Sequence, residues 1–335
     1  MYKMKFHTEK TIHSFPRFLF MANTIVSIRH LAKQFGSFQA LKEINLEVKQ
    51  GDIYGFLGQN GAGKSTTMRC MLSLIRPDAG DIELFGLSLS KHREQILARI
   101  GCLIEKPDFY KYLSAFKNLQ ILSRISGKAS STQEIYDMLE FVGLAGREKD
   151  LVGGFSHGMR QRLGIAQTLL HDPDLIVLDE PTTGLDPQGI IDMRNLILRL
   201  NKEKNKTIIL SSHNLHEVEL ICNRMVIIHQ GQSLVEGSVE DLLQEEDQII
   251  RVQMTPDGQT QAIAVLGNQF PQLKYQVLGL DSLEIQLAKV AIPNLNAAFV
   301  AAGISIFAME AKRKLEDYFI NLVSAWSFYT VPTTS

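Results

Sequence analysis

The sequence predicts an α/β fold with a helical insertion, followed by a small α+β domain. Three observations predict it. An almost continuous apolar run, "DIYGFL" (52–57), leads into a glycine-rich loop and then a helical stripe. Strand patterns return at "DLIVLD", "TIILSS" and "RMVIIH", separated by helical segments such as 188–201, the alternation expected of a largely parallel sheet. Residues 248–308 then read strand, helix, strand, strand, helix, strand, the order of a ferredoxin-like α+β domain.

The bulk numbers fit this reading and narrow it. A chain of 335 residues, 45% hydrophobic and 21% charged, is an ordinary globular composition with room for one large or two moderate domains. The net charge of −1 leaves no overall basic footprint for nucleic acid, so none is expected as a partner. Cys70, Cys102 and Cys222 are widely spaced and odd in number, which gives neither a disulfide framework nor a metal site; buried, reduced thiols of a cytosolic protein are expected. No apolar run approaches the roughly 18–20 residues of a membrane-spanning helix. The basic stretch 1–22 is interrupted at Pro16 and Arg17, too early for a signal peptide, and is expected to be a loose tail; Met21 is a second possible start.

Along the chain, "TIVSIRHL" is β-rich and "EINLEV" alternates at Ile44, Leu46 and Val48. After the glycine-rich loop, Met68, Met71, Leu72 and Ile75 fall at i, i+3, i+4 and i+7, predicting a helix across all four. Two amphipathic helices follow in "SAFKNLQILSRI" and "STQEIYDMLEFVGL", within a helical insertion spanning about 107–160. Ser131 and Glu134 have capping-box spacing for the second. "HQGQ" marks a hairpin into "SLVEG", and "EDLLQEEDQ" a charged linker. Leu283, Ile285 and Leu287 alternate as one buried strand face, and "RKLEDYFINLV" predicts a last helix before a tail at 326–335.

Chemistry concentrates at three places. Gly58, Gln59, Asn60, Gly61, Ala62, Gly63, Lys64 and Ser65 form a full G-x-x-x-x-G-K-[ST] phosphate loop, with Thr66 following in the same cradle. The glycines let successive N–H groups converge on phosphate oxygens, and the helix behind adds its positive end. Lys64 supplies a cation for the β- and γ-phosphates, and Ser65 a hydroxyl for Mg²⁺. A chance glycine-rich turn would lack the strand before and the helix after. Second, Asp179 and Glu180 end an apolar strand, where carboxylates face the crevice of an open α/β sheet. Asp179 suits Mg²⁺, and Glu180 suits the polarisation of an attacking water. Third, Ser156, His157 and Gly158 stand at a helix start, which is either a simple Ser156 N-cap or a second anion-binding turn.

Taken together, these motifs resemble the nucleotide-binding subunit of ATP-binding cassette (ABC) transporters. "FSHGM" is similar to that family's LSGGQ signature, degenerate at three of five places, and "TGLDP" resembles the loop that crosses the family's dimer interface. The resemblance implies ATP and Mg²⁺ as ligands. It also implies a head-to-tail dimer in which Ser156 and Gly158 of one copy complete the site built on Lys64 of the other, with Asp186 at the interface. His213 matches the switch histidine that contacts the γ-phosphate; alone it would be a helix cap or a core residue. Phe35 matches the aromatic that stacks on adenine, against core packing as the alternative. Two departures stand out. Glu105 occupies a lid position usually held by glutamine, where a carboxylate would ligate Mg²⁺ or repel phosphate, or would be an ordinary exposed acid. His157 replaces a glycine of the signature. The glutamate lid and the altered signature resemble the bacitracin and lantibiotic export subfamily.

The expected protein is therefore a P-loop ATPase subunit of an exporter. It would lie in the cytoplasm at the inner face of the membrane and drive a separate multi-spanning permease. Domain boundaries are expected at 23–237 for the cassette and 238–325 for an accessory domain. Pro107–Tyr112, with Phe109 and Tyr110, would meet the permease or else fill the insertion's core. An ABC ATPase that drives a partner mechanically without transport is the alternative. Ribosome or repair factors are disfavoured by the single cassette and the lack of heptads.

Overall fold

The computed structural model describes residues 23–105, 107–243 and 248–312. The expected tail at 1–22 and the last helix at 313–323 lie outside them. Two long strands open the fold, β1 (Thr24–Phe35) and β2 (Phe38–Lys49), joined by a tight turn at Gly36 with φ +58. Then come β3 (Ile53–Leu57), α1 (Lys64–Met71), β4 (Ala79–Leu84), β5 (Leu87–Ser88), α2 (Arg93–Leu97) and β6 (Ile100–Leu103). The insertion holds α3 (Ala115–Ile125) and α4 (Thr132–Phe141) and leads to α5 (His157–Thr168). The sheet resumes with β7 (Leu175–Leu178), α6 (Pro187–Lys204), β8 (Thr207–Ser212), α7 (Leu215–Ile221), β9 (Arg224–His229) and β10 (Gln232–Ser238). After α8 (Val239–Leu243) come β11 (Gln248–Met254), α9 (Pro256–Gln269), β12 (Lys274–Leu278), β13 (Ser282–Leu287), α10 (Ile292–Ala301) and β14 (Ile306–Lys312).

The first ten strands form one sheet in the order β5-β4-β1-β2-β10-β9-β3-β8-β7-β6. It is less parallel than the alternation of strands and helices suggests. The ladders among β9, β3, β8, β7 and β6 are parallel, whereas β1–β2, β1–β4, β4–β5 and β9–β10 are antiparallel. Turns of a few residues join only antiparallel neighbours, which accounts for β1–β2, β4–β5 and β9–β10, whereas β1–β4 is a longer-range antiparallel pairing. β4, β5 and β6 are not among the strands expected from the sequence, although Ile82 and Leu84 of β4 alternate as buried positions between exposed Asp81 and Glu83; β5 and β6 are only two and four residues long. β3 is buried at every position and feeds both faces of the sheet, Leu57 into the core beneath the helical insertion and Phe56 into the core against α1.

Several local expectations are corrected. α1 stops at Met71, Leu72 caps it, and Ser73 turns out of the helix at φ 55, so Leu72 and Ile75 pack from a turn. α8 occupies the start of the stretch read as a linker, with Val239 buried. Phe109 is buried in the insertion's core, while Tyr110 and Tyr112 stay exposed. Cys102 is exposed, unlike Cys70 and Cys222, because β6 is the last strand of the sheet.

Other expectations are met at residue level. Ser131 and Glu134 form the reciprocal capping box of α4. Gln230 and Gly231, both with positive φ, make the β9–β10 hairpin. The carboxyl-terminal strands form an antiparallel sheet in the order β12-β13-β11-β14, the arrangement of a split βαβ fold. Its core of Val252, Leu283, Ile285, Leu295 and Phe299 is closed by α9 and α10.

Candidate functional site

The phosphate loop links the buried end of β3 to the start of α1. Gly61 and Gly63 take φ of +80 and +113, in the left-handed region where only glycine is unstrained. A Cβ on Gly58 would sit 2.3 Å from the Ile228 carbonyl oxygen, so this glycine is required by close approach of the backbones. No acid occupies the first turn of α1, which leaves its positive end uncompensated. Lys64, only 4% exposed, donates to the carbonyls of Gly58 at 2.6 Å and Gln59 at 3.2 Å, and its Nζ lies 3.5 Å from Glu180 Oε1. Burial pushes the Lys64 ammonium below its ordinary range, against the pull of Glu180 and Asp179.

Glu180 is the hub of the site. It follows β7 with φ 46, a left-handed conformation that non-glycine residues hold only where surroundings enforce it. Its N–H donates to Ser211 Oγ at 2.8 Å, and that hydroxyl donates to Asp179 Oδ1 at 2.5 Å. Its Oε2 accepts from Thr183 Oγ1 at 2.7 Å and pairs with His213 Nδ1 at 2.8 Å. A carboxylate only accepts, so His213 carries its proton on Nδ1 and presents Nε2 outward. Burial raises the Glu180 carboxyl, but Thr183, His213 and Lys64 outweigh it and hold the group below its usual range. It is therefore ionised at neutral pH.

The turn at 155–159 sits apart from Lys64's cradle. α5 begins at His157, so His157 and Gly158 lie in its first turn rather than ahead of it. Ser156 is the N-cap, accepting from the Met159 N–H at 3.2 Å, and no acid stands in the first turn. A Cβ on Gly158 would meet only Leu185 Cδ2 at 3.6 Å, an ordinary contact. Among the described residues nothing therefore demands a glycine there. Asp186 caps α6 through the Gly189 N–H at 2.8 Å.

Glu105 points to Arg69, with which it forms a close ion pair, and its backbone turns through φ 70. Phe35, at the end of β1, is 46% exposed, with Lys33 Nζ 5.4 Å from the ring centroid, so it is no core residue. The structure thus gathers Lys64, Asp179, Glu180 and His213, and leaves Ser156, Gly158 and Asp186 to their own helix ends. Sequence reasoning missed Ser211 and Thr183, and also Glu217, which accepts from Thr182 at 2.7 Å and Ser212 at 3.0 Å. The signal available was a run of hydroxyl residues directly beside the acid pair and the histidine.

A parallel-sheet crevice with a phosphate loop and an oriented carboxylate at its edge defines a P-loop ATPase. Comparison with known proteins narrows the class. The family model described as "ABC transporter" matches residues 41–183, and one described as "AAA domain, putative AbiEii toxin, Type IV TA system" matches 150–219. The bacitracin transport ATP-binding protein BcrA of Bacillus licheniformis is 43% identical over 302 residues, covering 90% of this chain and 98% of the relative. BcrA of Enterococcus faecalis is 34% identical over 300 residues, covering 89% and 96%. A solved ATP-binding subunit of an ABC transporter superposes with TM-score 0.57 at 29% identity, covering 65% of this chain and 92% of that one. The chain belongs to the ABC transporter family, as an ATP-binding subunit. Proteins of this family bind and hydrolyse ATP. Among the described residues no helix is long and apolar enough to cross a membrane.

Proposed function

We propose that this chain energises an antibiotic-exporting permease at the inner face of the membrane. In this reading two copies meet head-to-tail around two molecules of ATP. Full-length likeness to two bacitracin transport subunits supports the substrate class and the separate permease. The cassette comprises residues 23–237, and the accessory domain starts at 238. The exposed Tyr110 and Tyr112, with ring centroids 6.0 Å apart on the helical insertion, offer the permease an apolar contact. Buried Phe109 supports that loop from below.

The observation that carries the reading is the set of partners around Glu180: His213 at 2.8 Å, Thr183 at 2.7 Å and Lys64 at 3.5 Å. Residues 58–66 hold the triphosphate by backbone N–H groups and by Lys64, and Phe35 stacks on the base. Glu180, kept ionised by these partners, accepts a proton from the attacking water. His213 fixes the carboxylate through Nδ1 and turns Nε2 toward the γ-phosphate. Ser156 and Gly158 of the second copy close on that phosphate with the free N–H groups of α5, and Asp186 lies between the copies.

The donor set at Ser65 and Asp179, a hydroxyl and a carboxylate held by Ser211, suits a hard cation such as Mg²⁺. Among the described residues no three His, Cys, Asp or Glu side chains cluster as ligands, so the remaining ligands would be phosphate oxygens and water. When bound, that ion would neutralise phosphate charge. In this reading Glu105, paired with Arg69, serves as a lid acid rather than as a ligand.

The test is Glu180→Gln in the full chain. ATP should still bind, turnover should stop, and a nucleotide-dependent dimer should accumulate by light scattering. A variant that hydrolyses ATP at the wild-type rate would reject Glu180 as the base. Chelation of divalent ions should halt hydrolysis while leaving nucleotide association measurable.

A further inference from the structure

The imidazole of His157 reaches back across the chain. Its Nε2 lies 3.2 Å from the carbonyl oxygen of Thr183. That oxygen only accepts, so Nε2 carries the proton and His157 donates. The same residue's hydroxyl, Thr183 Oγ1, donates to Glu180 Oε2 at 2.7 Å, and the same carboxylate oxygen pairs with His213 at 2.8 Å. One residue, Thr183, therefore links the catalytic carboxylate on one side to the helix-start turn on the other. Gly184 permits this close approach. It does so through its backbone: φ is +78, a left-handed conformation that favours glycine, while a Cβ there would make only an ordinary contact with His157 Nε2 at 3.5 Å.

We propose that His157 is a positioning residue that couples the two nucleotide-facing surfaces of a single chain. The proposal rests on the two-copy reading above. In that reading Glu180 and His213 face the chain's own ATP, whereas Ser156 and Gly158 face the partner's. A glycine at 157 has no side chain to span this gap, and an aliphatic residue has no donor. With histidine, any shift of Glu180 that pulls on Thr183 is transmitted to the first turn of α5, and the reverse. The second anion-binding turn is thus tied to the hydrolytic state of the first site, and the two ATP molecules are consumed in concert.

The experiment uses the full chain and four variants: His157→Leu, which removes the donor, His157→Gln, which restores an N–H donor, Thr183→Val, and the double variant His157→Leu/Thr183→Val. Turnover is measured against ATP concentration, with binding of a fluorescent ATP analogue alongside. His157→Leu should lower kcat roughly three- to tenfold, the scale of one lost hydrogen bond, and flatten the cooperative rise with ATP. Analogue affinity and KM should hold. His157→Gln should recover wild-type turnover to within about twofold. The double variant should be no worse than the poorer single variant, as members of one network are not additive.

Equal impairment of the Leu and Gln variants would show packing alone at this position and overturn the proposal. So would additive losses, or wild-type cooperativity in His157→Leu. The two-copy reading is tested separately by Glu180→Gln with His157 intact. If that variant dimerises on ATP and His157→Leu is silent, only the coupling fails. If it never dimerises, both fail.

Discussion

The two helix-start turns of this chain, one at 58–65 and one at 155–159, are built on opposite plans. The loop at 58–65 is complete within one polypeptide. Its lysine is buried, its glycines are required by φ or by close backbone approach, and the Glu180 carboxylate lies within reach of that lysine. The turn at 155–159 has a Ser156 cap, no acid in the first turn of α5 and the Arg160 guanidinium donating to the Phe155 carbonyl, and among the described residues a Cβ on Gly158 would meet only Leu185, in ordinary contact. Gly61 is held by a backbone conformation that other residues rarely adopt, whereas Gly158 has no such constraint and, on the two-copy reading, leaves room for a neighbour.

The strongest way to break the comparison is at Glu180. Glu180→Gln should reduce turnover by roughly 10²–10⁴-fold, the range for a lost general base, at retained ATP affinity. Lys64→Ala comes next. Loss of a charge-assisted contact should weaken ATP binding by roughly 10- to 100-fold in a titration, and unchanged affinity would remove the cradle.

The two glycines then separate the plans directly. Gly58→Ala puts a Cβ 2.3 Å from a carbonyl and should destabilise the folded monomer by about 2 kcal/mol or more, seen as a lower melting temperature. Gly158→Ala should melt within about 0.5 kcal/mol of wild type, as an unstrained surface change does, yet lose ATP-dependent dimerisation. Dimerisation at full strength would show that the second turn closes on nothing.

Smaller effects sharpen the picture. Removing the α5 cap by Ser156→Ala should cost about 1 kcal/mol in a thermal melt. The lowered Glu180 carboxyl gives a pH signature. Its charge-dependent stabilisation is fully present above the ordinary value of 4.5 and fades as pH falls through the depressed folded value. The melting-temperature gap between wild type and Glu180→Gln should therefore be constant from pH 7 to 5 and change only below. Last, Cys70, whose thiol burial pushes up to about 11, should resist alkylation at pH 8 in the folded chain, while exposed Cys102 reacts first.

Much was legible beforehand for identifiable reasons. The phosphate loop needs a fixed run of residue types, so spacing alone locates Lys64 and Ser65. The capping box at Ser131 and Glu134, the β9–β10 hairpin and the βαββαβ order depend on near neighbours and alternation. What failed depended on position in the sheet. Cys102 is exposed because β6 is an edge strand, and the choice left open for Phe109 fell to the core because the helical insertion folds over it. α1 ends early because Ser73 turns the chain. None of these is encoded by local pattern.

By itself the sequence determined which chemical groups exist and their local settings: a glycine cradle with a lysine, two acids ending an apolar strand, and a serine heading a helix. Those follow from short-range sterics and periodicity, which act over a few residues. Only the tertiary structure decided that Thr183 and Ser211 brace Glu180 and Asp179, that His213 shares the Glu180 carboxylate, and that His157 reaches Thr183. Apart from Thr183 and Glu180, which are three positions apart, these contacts join residues 26 to 33 positions apart, and their geometry is set by how parallel strands and their loops stack.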